Sequence, residues 1–282
     1  MNIAICGATG CVGHHLSAYL KGVGHTVTPI TRVLLTMPQM GNLQTIIDNS
    51  DVVINLSGAP ISKRWSRANL DKIFNSRIEV TKRLVDIINR SQRPSLFISA
   101  SAAWYHSSEM LLKPNIKSDT ILTKLIDEWE GQARRINSKT RLVITRFSVV
   151  FDASRGALPK MLESSGWGFL ARIGSGERLL SWIAVDDVAH AIEHIIKRKE
   201  VEGAVNFVTP EPTTQEQFLD SAKRAKGVRF IIQLPILLLK ILYGRAANVI
   251  MHSNYTRPMR LQQMGYKFIH PTIHAYFSQM VE

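Results

Sequence analysis

The chain has 282 residues, 45% hydrophobic and 20% charged, which is enough apolar material for one large domain or two small ones and too little polarity for a disordered chain. Two cysteines, Cys6 and Cys11, exclude a disulfide scaffold. Thirty-five Lys and Arg against 22 Asp and Glu leave a formal charge of +13, which would suit a polyanion or an anionic surface. However, the cations read as scattered pairs such as Lys63-Arg64, Lys82-Arg83 and Arg134-Arg135, so nucleic acid is not an expected partner.

Asn2 to Cys6 reads as a short buried strand. It runs into Gly7-Ala8-Thr9-Gly10-Cys11-Val12-Gly13 and then a helix over His14 to Gly22, with Leu16 and Leu20 at helical spacing. Strand, glycine turn and helix in that order form a dinucleotide-binding signature. The first glycine permits the tight turn, the second lets the backbone approach a pyrophosphate, and the third lets helix and strand pack closely. The helix N-terminus adds N–H groups and a positive dipole end. Gly7, Thr9, Gly10, Cys11, Val12 and Gly13 are therefore expected cofactor contacts. Cys11 is either a small filler in this loop or a thiol acidified by the helix N-terminus; Cys6 belongs to the core. The first residues lack the basic and apolar regions of a signal peptide.

Thr26 to Thr31 reads as the second strand and delivers Arg32 to its carboxyl end. At that position an acidic residue would hold the ribose 2′-OH of NAD, and an arginine accommodates the 2′-phosphate of NADP. Arg32 favours NADP, set against the plainer reading of a solvated arginine at a strand end. Val33 to Thr36 looks like a third strand, yet parallel neighbours need a crossover of about a dozen residues. Either the usual second helix is deleted and the sheet rearranged, or this run is not a sheet strand.

Leu43 to Asn49 predicts a short helix, and Asp51 to Leu56 a buried strand ending in Ser57-Gly58-Ala59-Pro60. Those small residues would let the adenosine side of a cofactor pass close to the backbone. A long helix is expected from about Leu70 to Arg90, followed by a strand over Ser95 to Ser101.

Here the order of motifs resembles the short-chain dehydrogenase/reductase superfamily in its extended, sugar-nucleotide-epimerase-like form, also described as NAD-dependent epimerase/dehydratase-like. Within it the chain resembles the atypical branch called "epimerase family protein". The stretches that carry the likeness run almost end to end: the glycine loop, Asn55 to Ile61, Lys63-Arg64-Trp65, Ser76 to Thr81, Ile98 to Ala102, Trp129-Glu130, Thr145 to Val150, Gly156 to Leu162, Ile173 to Gly176, Ser181-Trp182-Ile183, Asp186-Asp187 and Met264-Gly265-Tyr266. The resemblance implies an α/β, NAD(P)-binding Rossmann fold with a doubly wound parallel sheet and a small, mostly helical C-terminal substrate lobe. Residues 1–150 plus about 184–208 would form the cofactor domain, and about 151–183 with 209–282 the lobe. It also implies NADP (NADPH) as cofactor, with Arg32, Leu56, Ser57, Gly58, Arg77 and Ser99 among its contacts. Read from the residues alone, Arg77 between Phe74 and Ile78 could instead cover apolar surface with its stem.

Oxidising a sugar hydroxyl needs a proton acceptor. The superfamily supplies a tyrosine acidified by a lysine four residues later, with a serine or threonine polarising the same oxygen. Ser101, at the end of the expected fifth strand, matches the serine, but Leu122 and Ile126 stand where the tyrosine and lysine would be. Thr120 and Lys124 repeat the spacing, although a threonine hydroxyl is a far poorer acid/base. Tyr105 and His106 follow Ser101 and would either face the nicotinamide or pack at the cleft mouth. Ser101 and Tyr105 are the catalytic candidates.

Further along, Leu142 to Val150 and Val205 to Val208 read as strands. Phe169-Leu170-Ala171-Arg172 replaces the branch's glycine-rich turn, which points to a cleft receptive to an acidic ligand near Arg172 and Arg178. Asp186 and Asp187 are expected to cap a helix over Val188 to Arg198. Helices are expected near Gln215 to Ala225, Ile236 to Val249 and His274 to Met280. His190 and His194 share helical spacing, but no cysteine completes a ligand set, so no metal is expected. No G-x-S-x-G elbow occurs.

The apolar run Ile231 to Tyr243 is broken by Gln233, Pro235 and Lys240 and falls short of the roughly 20 residues of a spanning helix. A cytoplasmic protein with a small-molecule substrate and no membrane partner is expected. Two functions follow. One is an NADP-dependent oxidoreductase or epimerase acting on a small hydroxylated substrate, a sugar nucleotide being the candidate class. The other is a non-catalytic NADP-sensing or interaction protein that has lost the tyrosine-lysine pair.

Overall fold

A computed structural model of the chain describes residues 1–36, 41–103, 120–235, 237, 241, 244–247 and 255–280. In its first half, β1 (Asn2–Cys6) leads through the glycine turn to α1 (Cys11–Gly22), followed by β2 (Thr26–Ile30), α2 (Arg32–Thr36) and α3 (Gly41–Asp48). Next come β3 (Val52–Asn55), α4 (Arg67–Asn75), α5 (Ile78–Ile88), β4 (Leu96–Ala102), α6 (Thr120–Ala133) and β5 (Arg141–Phe147). The remainder comprises β6 (Val149–Phe151), α7 (Ala157–Met161), a 3-10 turn (Glu163–Trp167), β7 (Phe169–Ile173), β8 (Leu179–Leu180), β9 (Trp182–Ala184), α8 (Val185–Lys197), β10 (Gly203–Phe207), β11 (Thr213–Thr214), α9 (Gln215–Lys226), β12 (Phe230–Leu234), α10 (Met259–Gln263) and α11 (Ile273–Ser278).

Six strands form one parallel sheet in the order β10-β5-β4-β3-β1-β2. Their sequences are nearly continuous apolar runs because both faces are covered. Ile3, Ile5, Val52, Ile54 and Ile98 face a cluster shared with α1 and α8. The alternate residues Ala4, Cys6, Val53 and Phe97 face α3 and α5, as the two-residue period of a strand requires. The strand order reverses between β1 and β3, and the crevice outside their carboxyl ends is where ligands bind in open α/β sheets. A second apolar cluster gathers Phe151, Leu158, Leu170, Trp182, Phe218 and Phe277, with Trp182 stacked on Phe151.

Several expectations need correcting. Of the two readings of Val33 to Thr36 the second holds, since the run lies in α2 and not in a strand; among the described residues the sheet ends at β2, whose fourth residue is Pro29. With no third strand on that side, Ser101 sits on the fourth strand in chain order, not the fifth. The long helix over Leu70 to Arg90 is two helices, broken at Ser76 and Arg77, where Ser76 Oγ accepts the Ala59 N–H at 2.8 Å. The expected strand Leu142 to Val150 divides at Ser148: β5 stays in the main sheet, and β6 leaves it to pair with β9.

Asp186 and Asp187 do not cap their helix, because α8 already begins at Val185 and Ala184 is its N-cap. Asp187 is instead buried and accepts hydrogen bonds from Tyr266 Oη and from the Ile269 and His270 N–H groups at 2.7–2.9 Å. The C-terminal region is less helical than expected, since β7 pairs with β12 and β8 with β11. The expected helix over Ile236 to Val249 falls mostly outside the described residues.

Candidate functional site

The glycine loop is built by contacts that only glycine can make. Gly7 has a φ of 84°, and a Cβ on it would lie 2.8 Å from the Leu56 carbonyl oxygen. A Cβ on Gly13 would fall 2.1 Å from the Gly7 carbonyl, so α1 can start this close to β1 only with hydrogen at that position. Gly10 is different: its added Cβ would meet only the Gly7 carbonyl, at 3.3 Å. Thr9 and Gly10 are exposed, while Val12 turns into the core. Gly10 is an extended N-cap with no side-chain cap bond, and the first turn of α1 carries no acidic residue. The leading N–H groups and the positive end of the dipole are thus left to an outside acceptor, which suits a pyrophosphate.

Cys11 does not carry an acidified thiol. Its Sγ donates to Asp152 Oδ2 at 3.5 Å, and burial, reinforced by the Asp152 charge, pushes the thiol up to about 12. Asp152 remains ionised: burial pulls its carboxyl upward, but hydrogen bonds from Ser154, Cys11 and the Arg155 backbone outweigh that and hold it low. Cys6 is core, as expected.

Arg32 is exposed at the carboxyl end of β2, the strand beside the one that feeds the glycine loop. On the other side of β1, the end of β3 is held by a chain of hydrogen bonds. Ser57 Oγ donates to Asn55 Oδ1 at 2.6 Å, Asn55 Nδ2 donates to Thr81 Oγ1 at 2.8 Å, and Trp129 Nε1 donates to the same Thr81 oxygen at 3.0 Å. Arg77 braces this turn from below. Its Nη1 donates to the Ala59 and Ile73 carbonyls at 3.0 and 3.2 Å, and its guanidinium lies 5.2 Å from the Trp129 ring centroid. A Cβ on Gly58 would sit 2.9 Å from the Arg77 Cζ. Burial lowers the Arg77 pKa to about 10, so the group is still a cation at neutral pH. Arg77 therefore packs on an aromatic face and also adjoins Gly58. Ser99 is fully enclosed within β4, and its hydroxyl has no partner among the described residues.

The reactive end holds a group to which the sequence reading gave no role. Ser101 Oγ donates to Glu130 Oε1 at 2.7 Å. Glu130, 1% exposed at its side chain, also receives a two-pronged contact from Arg146, both bonds at 2.8 Å, and a third bond from Arg134 at 2.6 Å. Leu122, Ile126 and Glu130 are spaced by four along α6, so the carboxylate stands one turn beyond the two apolar residues that replace the tyrosine and lysine. Trp129-Glu130 was visible as a motif. Its partners Ser101 and Arg146 come from neighbouring strands, β4 and β5. Tyr105 and His106 lie outside the described residues.

Elsewhere, Asp186 Oδ1 meets His15 Nε2 at 3.0 Å and Oδ2 meets His270 Nε2 at 3.4 Å, tying α1 to the C-terminal segment. His190 and His194 part company. The first lies against Tyr19 and the second against the Met264 carbonyl; no metal-binding cluster occurs among the described residues. Arg172 and Arg178 flank the Gly174–Gly176 turn, and burial lowers the Arg178 pKa.

The model of the NAD dependent epimerase/dehydratase family matches residues 3–207. The chain belongs to that family. The match runs from within β1 to the end of β10 and takes in the glycine loop, Arg32, Arg77 and the Ser101–Glu130 contact. A second model, a domain of unknown function (DUF1731), matches residues 234–280. The chain is 29% identical to epimerase family protein SSP1921 of Staphylococcus saprophyticus, over 98% of each chain. The crystal structure of human epimerase family protein SDR39U1 (isoform 2) with NADPH superposes with a TM-score of 0.87 at 26% identity, covering 100% of this chain and 99% of that one. A UDP-glucuronic acid 4-epimerase from Bacillus cereus, in complex with UDP-glucuronic acid and NAD, shares the fold at 16% identity, with a TM-score of 0.73 and 99% of each chain covered.

Proposed function

We propose that this chain binds NADPH at the switch point between β1 and β3 and acts as an oxidoreductase or epimerase on a small hydroxylated substrate, a sugar nucleotide being the candidate class. The observation that carries the proposal is the uncapped N-terminus of α1, whose own first turn holds no acidic residue, behind a loop in which Gly7 and Gly13 admit only glycine, with Arg32 at the end of the adjacent strand. The NADPH in the human SDR39U1 structure and the UDP-glucuronic acid in the Bacillus cereus enzyme support cofactor and substrate class respectively.

Gly7, Thr9, Gly10, Cys11, Val12 and Gly13 cradle the pyrophosphate, and Arg32 pairs with the 2′-phosphate. Leu56, Ser57 and Gly58 line the passage along the end of β3, Arg77 holds that turn in place, and Ser99 supports the floor. The bound cofactor supplies the hydride chemistry. Ser101 and Tyr105 act at the reactive end, where Ser101 can give its proton to a substrate oxygen only by turning away from Glu130. Residues 1–150 with about 184–208 form the cofactor domain, and about 151–183 with 209–282 the substrate lobe.

A second reading, a non-catalytic NADPH sensor, is favoured by one observation: Leu122 and Ile126, both buried, stand in place of the tyrosine-lysine pair. Titration with NADPH and NADH, followed by nicotinamide fluorescence, tests the shared premise. NADPH is expected to bind more tightly than NADH and to lose that advantage in Arg32→Ala. Binding of neither nucleotide overturns both readings. A substrate screen then separates them, since turnover that Ser101→Ala leaves unchanged removes Ser101 from the chemistry.

A further inference from the structure

The +13 charge finds little use at the nucleotide site, and its distribution is uneven. From Ser221 to Val281 the chain carries nine Lys and Arg and not one Asp or Glu, so the greater part of the excess belongs to the last fifth of the sequence. The same region exposes apolar side chains. Phe230 is 65% exposed, Ile232 46%, Leu237 67% and Ile241 62%, and Trp167 is 82% exposed.

Phe230, Ile232 and Trp167 gather at the β7–β12 pair. The register sets Phe230 beside Phe169 and Ile232 beside Ala171, so Phe230 and Ile232 share the outer face. Leu170 and Ile231, one residue along on each strand, point into the apolar cluster beneath. Trp167 ends the turn that feeds β7 through Gly168 and so lies at the Phe230 end of the pair. Leu237 and Ile241, both helical and four residues apart, follow directly after β12. Two cations flank the patch: Lys226 closes α9 and Arg229 immediately precedes Phe230, both exposed.

We infer that this face is a peripheral binding surface for anionic phospholipid bilayers. Bulky apolar residues beside Lys226 and Arg229, with β12 in a stretch from Ser221 to Val281 that carries no acid and Glu163 at the far end of the Trp167 turn, fit a surface that offers negative headgroups above hydrocarbon. Branched aliphatic side chains find no stacking partner in nucleic acid, where flat aromatic and guanidinium groups do the work. The chain would lie on the bilayer and not cross it, since no helix among the described residues is long and apolar enough to span. The expectation of no membrane partner is thereby narrowed to the absence of such a helix. The inference is independent of NADPH binding and of any catalysis.

Flotation of the full chain with vesicles of phosphatidylcholine alone, or mixed with phosphatidylglycerol, tests it. The protein is expected to float with the anionic vesicles, far less with the neutral ones, and to come off as salt is raised. Tryptophan emission should shift to the blue on binding, and Trp167→Phe should lose most of that shift. Phe230→Ser with Ile232→Ser is expected to lower partitioning by about tenfold or more. Lys226→Gln with Arg229→Gln should lower it by roughly fivefold per charge, with thermal melting unchanged in this pair of exposed positions.

Failure to float with anionic vesicles overturns the inference. So does binding that both double variants leave intact. Duplex binding without vesicle binding would reassign the face to nucleic acid. Concentration-dependent self-association abolished by Phe230→Ser, again without vesicle binding, would reassign it to a second copy of the chain.

Discussion

Glu130 is a carboxylate enclosed between two guanidiniums of unequal weight. Arg146 contacts it through two bonds and is itself mostly buried, at 13% exposed, whereas Arg134 reaches in from a side chain 53% exposed. Removing one member of a buried ion pair leaves an uncompensated charge, which costs about 3–5 kcal/mol. A pair with a solvent-exposed partner is worth about 0–1 kcal/mol. Arg146→Met is therefore expected to lower the urea midpoint strongly and Arg134→Ala only slightly. Equal effects would mean that the two arginines share the charge evenly.

Asp186 gives a pH signature. The hydrogen bond from His270 holds its carboxyl below the usual range, against the opposing effect of burial, with the charges of His15, His270 and His190 adding to the hydrogen bond. A carboxyl lowered in the folded state adds stability above its unfolded pKa of about 3.9, and that stability is lost as pH falls through the folded value. Asp186→Asn is expected to reduce stability at neutral pH and to flatten its decline below about pH 4, as read from urea midpoints across the acid range.

At this scale the sequence disclosed the glycine loop, because steric need leaves a fixed spacing of one residue type. It did not disclose the partnership of Ser101, Glu130 and Arg146, because a helix and two strands bring those residues together and no local spacing records it. The choice between the two readings of Cys11 was open for a similar reason: Asp152, distant in sequence, helps to raise its thiol.

Among the elements, the junction of β1 and α1 makes the sharpest prediction. Gly13→Ala would place a methyl 2.1 Å from the Gly7 carbonyl oxygen, so helix and strand must move apart and melting temperature and NADPH binding should fall together. Gly10→Ala meets only a 3.3 Å contact in the protein and takes space proposed for the pyrophosphate. It is expected to melt close to the parent while binding NADPH more weakly, a separation visible by running calorimetry and fluorescence titration on the same samples. The break between α4 and α5 was invisible to periodicity, since apolar spacing continues across it. Ser76 turning to receive Ala59 is a tertiary bond, and it also seats Arg77 under Gly58. The two-stranded pairs near the C-terminus escaped notice because strands as short as Thr213–Thr214 leave no alternation to read.

For the whole molecule, the layered architecture was legible because a strand buried on both faces must be apolar throughout, and β1, β3 and β4 are. The absence of a strand beyond β2 was foreshadowed only as a conflict between an apolar run and the crossover length it lacked. In the structure the conflict disappears: α2 is helical and the sheet stops.

Among the described residues no strand pairs with the outer flank of β2, a ready template for another chain to add to and so a seed for aggregation. Pro29 lies within this strand and has no N–H to offer such a recruit, while its ring hinders close approach. Pro29→Val is expected to keep the sheet but raise light scattering in concentrated solution on mild heating, and a variant as clear as the parent would remove this role. The shortened sheet thus carries its own guard against polymerisation, in a single imino acid on its outermost strand.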